Sequence, residues 1–171
     1  MLNIILSATD DLPAVKLSFE HSLVSLSKWE SKYEKAFFGR DEKTYEESID
    51  YVRCMVLTED PPLNFVERIS SSQMQEIAEY INSKQTATTF GPEQPNRGSQ
   101  ETITAELIYY WLVQFRIPFQ PTETWHLNRV MTLVKIAGLK QSKPKKMSRQ
   151  EVAERNRQLN EQRRRESGSA G

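Results

Sequence analysis

A mainly α fold of the α+β class follows from three features of this 171-residue chain. The expected architecture is a small N-terminal β-sheet or pair of hairpins, then a compact helical bundle, then a projecting basic C-terminal helix. First, apolar residues alternate through much of residues 1–38, the period of strands. Second, from Gly39 onward they recur at spacings of three and four, the period of helices. Third, beyond Leu139 the chain becomes basic and loses nearly all its apolar residues.

In the first part, Leu2, Ile4 and Leu6 alternate with other positions, as do Val15, Leu17 and Phe19. Asp10-Asp11-Leu12-Pro13 supplies the turn between the two runs. Residues 22–29, where Ser22, Ser25 and Ser27 interleave with Val24, Leu26 and Lys28, read as a further strand. Tyr45, Ile49, Val52 and Val56 then form a helix face behind the capping box Thr44-Tyr45-Glu46-Glu47, stopped by Asp60-Pro61-Pro62. A short helical turn is expected around Leu63 to Ile69. Ser72-Gln73-Met74-Gln75 is expected to cap a helix carrying Met74, Ile77, Ala78 and Ile81 and ending near Ser83.

Residues 86–100, with Gly91-Pro92, Pro95 and Gly98, have the punctuation of a long surface loop, which either connects or binds. Two core helices follow, from Glu101 to about Arg116 and from Glu123 to about Ala137, with Gly138 as the C-terminal cap of the second. The prolines of Ile117-Pro118-Phe119-Gln120-Pro121 argue against helix between them. Ser148-Arg149-Gln150-Glu151 opens a last helix to about Arg165, and Ser167 to Gly171 reads as a flexible end. Residues 1–139 are thus expected to form one globular domain, with 1–38 its β-rich part and 41–139 its helical part. Residues 140–171 form a basic linker, a charged helix and an end.

Composition narrows the functional classes. Hydrophobic residues make up 37% of the chain, enough for a core, while 27% are charged and mean hydropathy is negative. A single cysteine, Cys54, can form no intrachain disulfide and falls short of a structural zinc site. No apolar run reaches the roughly 20 residues of a membrane helix, and Met1 to Leu6 lacks the basic flank of a signal peptide, so a soluble protein that is not exported is expected. Net neutrality conceals an asymmetry: residues 1–139 carry 13 Lys and Arg against 19 Asp and Glu, whereas residues 140–171 carry 10 against 4. An acidic body of −6 precedes a basic tail of +6.

No constellation calls for catalysis, a cofactor or a metal. His21 and His126 lack cysteines nearby and do not form a His-x-x-x-His pair. Cys54 beside Val52 and Met55 reads as a small buried hydrophobe. The six glycines fit no phosphate-cradling loop, and the acids Glu46, Glu47 and Asp50 read as a solvated helix face. The tail residues Lys143, Lys145, Lys146, Arg149, Arg155, Arg157 and Arg163-Arg164-Arg165 could neutralise phosphates, yet residues 140–171 hold no aromatic for base stacking. That weighs against nucleic acid and leaves a protein-binding arm or a passive tail. Trp29, Tyr33 and Phe37, spaced by four among alternating charges, read either as core packing or as a partner-binding ridge.

Several blocks occur together in this order: Ser27-Lys28-Trp29-Glu30, Asp50-Tyr51-Val52-Arg53-Cys54-Met55, Ile103-Thr104-Ala105-Glu106-Leu107-Ile108-Tyr109-Tyr110-Trp111, Ile117-Pro118-Phe119, Trp125-His126-Leu127-Asn128-Arg129 and Pro144-Lys145-Lys146-Met147-Ser148. In these the chain resembles the tail assembly chaperones of tailed bacteriophages, encoded just before the tape measure protein. The resemblance implies a non-catalytic protein of the host cytoplasm, missing from the mature virion. It would bind the tape measure protein, keep it soluble and help tail tube protein gather around it. It also implies a longer product made by ribosomal frameshifting near the C-terminus. The contact residues expected are Trp29, Tyr33 and Phe37 in the body and Val152, Arg155, Leu159 and Arg163 on the tail. A structural tail-completion or connector protein of the virion, or a nucleic-acid-binding phage protein using the basic tail, are the alternatives. No membrane partner is expected.

Overall fold

The alternation at the N-terminus closes a hairpin. In the computed structural model, which describes residues 1–9, 12–90, 101–141 and 149–167, strands β1 (Leu2–Leu6) and β2 (Val15–Phe19) pair antiparallel, with Leu2 opposite Phe19 and Leu6 opposite Val15. Period 2 puts Ile4, Leu6, Leu17 and Phe19 on the buried face and leaves Ile5 on the other, 64% exposed. The Asp10-Asp11 part of the expected turn lies outside the described residues. Arg68 braces the hairpin loop from elsewhere in the chain, its Nη2 donating to the carbonyls of Ser7 and Pro13 at 2.8 Å each.

Among the described residues, strand structure stops there. The expected third strand is instead helix α1 (Leu23–Tyr33). Ser22 Oγ accepts from the Ser25 N–H at 3.2 Å and Ser25 Oγ accepts from the Ser22 N–H at 2.8 Å, a capping box that satisfies two donors at the helix start. The alternate serines imitate a strand, while Leu23, Leu26, Trp29 and Tyr33 are spaced for a helix. The β-rich part of residues 1–38 is therefore the hairpin alone.

Helix α2 (Tyr45–Cys54) opens on the expected box, with Thr44 Oγ1 and Glu47 Oε2 each accepting the other's N–H. A 3₁₀ turn spans Phe65–Arg68, and α3 runs Ser71–Asn82 with Ser83 as its C-cap. Its cap is Ser70, paired with Gln73, not Ser72. Of the consecutive serines, the earlier register closes a full box and adds helical residues. Helix α4 (Ala105–Gln114) begins at Thr104, whose Oγ1 accepts from the Leu107 N–H at 3.3 Å, so residues 101–104 stay outside it.

The proline-marked link contains one short helix, α5 (Phe119–Thr122), where none was expected. Gln120 inside it keeps an extended ψ of 131°, and the Gln120–Pro121 bond is cis. Helix α6 (Leu127–Gln141) starts later than expected because residues 123–126 form a turn pinned to the start of α1. There Leu127 N–H donates to His21 O at 2.7 Å, and Ser22 bridges His126. It also passes through Gly138, which is a packing residue and not a cap: a Cβ there would meet the Phe115 ring at 3.6 Å. Helix α7 spans Arg149–Ser167; the proposed cap at Ser148, and Lys143, Lys145 and Lys146, lie outside the described residues.

The chain divides into two units, Met1–Leu139 and Lys140–Gly171. The first holds two apolar cores. One packs the hairpin against Trp29, Tyr51, Val52, Met55, Phe65, Val66 and Ile77. The other joins Leu23 and Leu26 to Ala105, Ile108, Leu112, Leu127, Val130 and Val134 of α4 and α6. Helix α1 belongs to both, its N-terminal leucines in one and Trp29 in the other.

Candidate partner-binding grooves

Between the cores runs a buried polar seam. Glu30, 6% exposed, accepts from Phe37 N–H through Oε1 at 2.8 Å and from Ala105 N–H, at the start of α4, through Oε2 at 2.7 Å. The two histidines, 105 residues apart in sequence, meet edge to face at 5.0 Å. Tyr51 OH bonds His21 Nδ1. His126 Nε2 donates to Tyr80 O at 3.0 Å and its Nδ1 accepts from Asn128 N–H at 3.3 Å, which makes the imidazole a cap for α6. Tyr80 OH donates to Glu20 Oε1, and the Met1 ammonium pairs with Glu20 Oε2 at 2.9 Å.

Burial, then the neighbouring His126, pushes His21 down to about 4; burial also lowers His126 against the opposing pull of Tyr80 O and Glu20. Both rings are therefore neutral at pH 7. At 2% and 5% exposure they are closed to a substrate in this conformation, and their hydrogen bonds hold backbone and side chains together. Cys54 is half-buried with its thiol pushed up by burial, the opposite of an activated nucleophile. Among the described residues no three His, Cys, Asp or Glu side chains gather to hold a metal, and no helix is long and apolar enough to cross a membrane.

Among the grooves on the described surface of the first unit, two have apolar walls. The larger, about 1060 Å³, lies between α2 and α3, with Ile49, Val66, Ile69, Met74 and Ala78 as its floor and Glu46, Arg53 and Glu67 among its rim. Asp50 in its wall binds Lys32, Tyr33 OH at 2.5 Å and Arg53 Nη1 at 2.6 Å; the Lys32 ammonium, then the Tyr33 hydroxyl, hold its carboxyl well below the usual carboxylate range. The smaller groove, about 460 Å³, lies between α4 and α6 and is almost wholly apolar, lined by Trp111, Phe115, Met131 and Val134. Phe90 also lines it, with Lys135 Nζ 4.3 Å from the ring centroid. Elsewhere on α4, outside the groove lining, Tyr110 and Val113 are 59% and 61% exposed.

Against this surface the expected ridge of Trp29, Tyr33 and Phe37 is corrected. Trp29 is fully buried, its Nε1 donating to Glu47 O at 2.8 Å. Phe37 is half-buried against Tyr51, with ring centroids 4.2 Å apart. Helical spacing turns Trp29 into the core, Phe37 lies past the Glu34 C-cap of α1, and only Tyr33 reaches a groove wall. On α7, Arg155, Leu159 and Arg163 are exposed, Leu159 at 40%; Val152 falls on the same helix. The α4–α6 groove went unseen in the sequence. Its one signal was the lack of a polar face on α4, more apolar surface than one core contact uses.

A scan of family models and searches of curated proteins and of solved structures found no match to this chain.

Proposed function

We propose that this chain is a non-catalytic tail assembly chaperone of a tailed bacteriophage. It binds the tape measure protein in the host cytoplasm, keeps it soluble while tail tube subunits gather, and leaves before the virion is complete. The reading starts from the resemblance carried by blocks such as Trp125-His126-Leu127-Asn128-Arg129. The observation that carries it is the open apolar groove between α4 and α6, lined by Trp111, Phe115, Met131 and Val134. A long helical protein with bare apolar seams aggregates unless those seams are covered, and an open apolar groove is a surface for covering them. Helix α7, with Arg155, Leu159 and Arg163 exposed, offers a second, charged contact that adds solubility to the complex.

The test is co-expression with the tape measure protein. A soluble complex that co-purifies is expected; tape measure that precipitates equally with and without this chain sinks the reading. Deleting residues 140–171 is expected to lower both tape measure solubility and tail yield, and no change in either would make the tail passive. Mass spectrometry of purified particles should find the chain missing.

A further inference from the structure

The groove between α2 and α3 carries charge that its own surroundings leave unanswered. Two carboxylates stand on its rim, Glu46 from α2 and Glu67 from the 3₁₀ turn, both exposed. Among the described residues neither makes an ion pair or a hydrogen bond. The two cations lining the groove are committed, since Lys32 and Arg53 both bind Asp50. Its five charged lining groups balance at −1, and the two left unpaired are both acidic, on a unit whose overall balance is −6. The walls have the length for a helix. On one, Tyr45, Ile49 and Arg53 recur every four residues; on the other, Ser71, Met74 and Ala78 recur at three and four. Each wall therefore runs about two helical turns, roughly 10–12 Å. Tyr45 at the edge is 80% exposed, and the flexible thioether of Met74 in the floor adapts to side chains of different shape.

We infer that this groove binds an amphipathic helix whose apolar seam is flanked by lysine or arginine. The large side chains of the seam enter between α2 and α3 and lie on Ile49, Val66, Ile69 and Met74, while the flanking cations reach Glu46 and Glu67. Apolar burial supplies the affinity. The two carboxylates select the partner, because an acidic helix would set like charges beside both of them. This site is separate from the α4–α6 groove and stands or falls apart from the chaperone reading.

Two fluorescent peptides of about 20 residues test this on the full chain. Both share one seam of leucines at i, i+3, i+4 and i+7; one carries Lys beside the seam and the other Glu. Fluorescence anisotropy is expected to show the Lys peptide binding about tenfold tighter at low salt, with the difference narrowing as salt rises. Glu46→Lys combined with Glu67→Lys should remove that preference. Glu59→Lys combined with Glu106→Lys makes the same change of charge outside the groove and should keep it. Ala78→Trp, at an exposed position of the groove, should weaken the Lys peptide about tenfold or more while the melting temperature holds. Equal binding of the two peptides, no binding of either, equal loss of preference in both double variants, or undiminished binding to Ala78→Trp would overturn the inference. Dimerisation of the chain in sedimentation, abolished by Glu46→Lys with Glu67→Lys, would overturn it too, since a second copy would then be the occupant.

Discussion

Glu30 shows how one buried residue ties distant parts of the chain together. Its carboxylate takes the backbone N–H of Phe37 after α1, part-buried, and of Ala105 at the start of α4, which burial cuts off from water. Glu30→Ala leaves both unmet and is expected to cost about 3 kcal/mol in urea unfolding, against about 1 for Glu30→Gln, which keeps an acceptor oxygen. A loss below that of a surface substitution in the Ala variant would refute this role. The histidine pair sets the acid response. A folded-state value for His21 of about 4, below the unfolded value near 6.5, means the folded chain binds fewer protons between the two. Stability is full above pH 6.5 and falls as pH drops toward 4, by about 3 kcal/mol for His21. His126→Asn keeps a capping acceptor for α6 without a titrating ring, so its urea midpoint should fall less steeply between pH 6.5 and 4 than wild type. An unchanged slope would place the acid sensitivity elsewhere.

At the level of elements, helix starts are local chemistry and helix ends are not. Serine or threonine side chains cap α1, α2, α3 and α4, and three of these starts are reciprocal boxes. The end of α6 is different: Gly138, which locally signals a stop, lies inside the helix, where a Cβ would sit 3.6 Å from the Phe115 ring. Glycine in a helix interior costs backbone entropy, and a Cβ here meets ordinary contact at 3.6 Å, so Gly138→Ala is expected to raise stability by about 1 kcal/mol. A lower melting temperature in that variant would show that the helix pair cannot accept a methyl group.

At the scale of the first unit, α1 makes two cores cooperative. Leu26 belongs to the core with α4 and α6, and Trp29, less than one turn on, to the core with the hairpin. Leu26→Ala should cost about 2–5 kcal/mol. Although the cavity opens on one side only, Trp fluorescence and far-ultraviolet circular dichroism should still report a single transition. Two separated transitions would mean that the cores unfold independently and that α1 does not couple them.

Periodicity and capping chemistry in the sequence determined the hairpin, the positions of α2 and α3, the mainly α class and the change of character at Leu139, because strand alternation, capping boxes and charge are written over a few neighbouring residues. They misread residues 22–29, where helical and strand patterns overlap and only the Ser22–Ser25 box decides between them. What tertiary structure alone decided depends on residues far apart: His21 against His126, Glu30 against Ala105, Phe90 between α4 and α6. It also turned Trp29 inward, since an aromatic stripe on a helix has the same spacing whether it faces a core or a partner. Burial is set by what packs across from a residue, and that neighbour comes from another part of the chain.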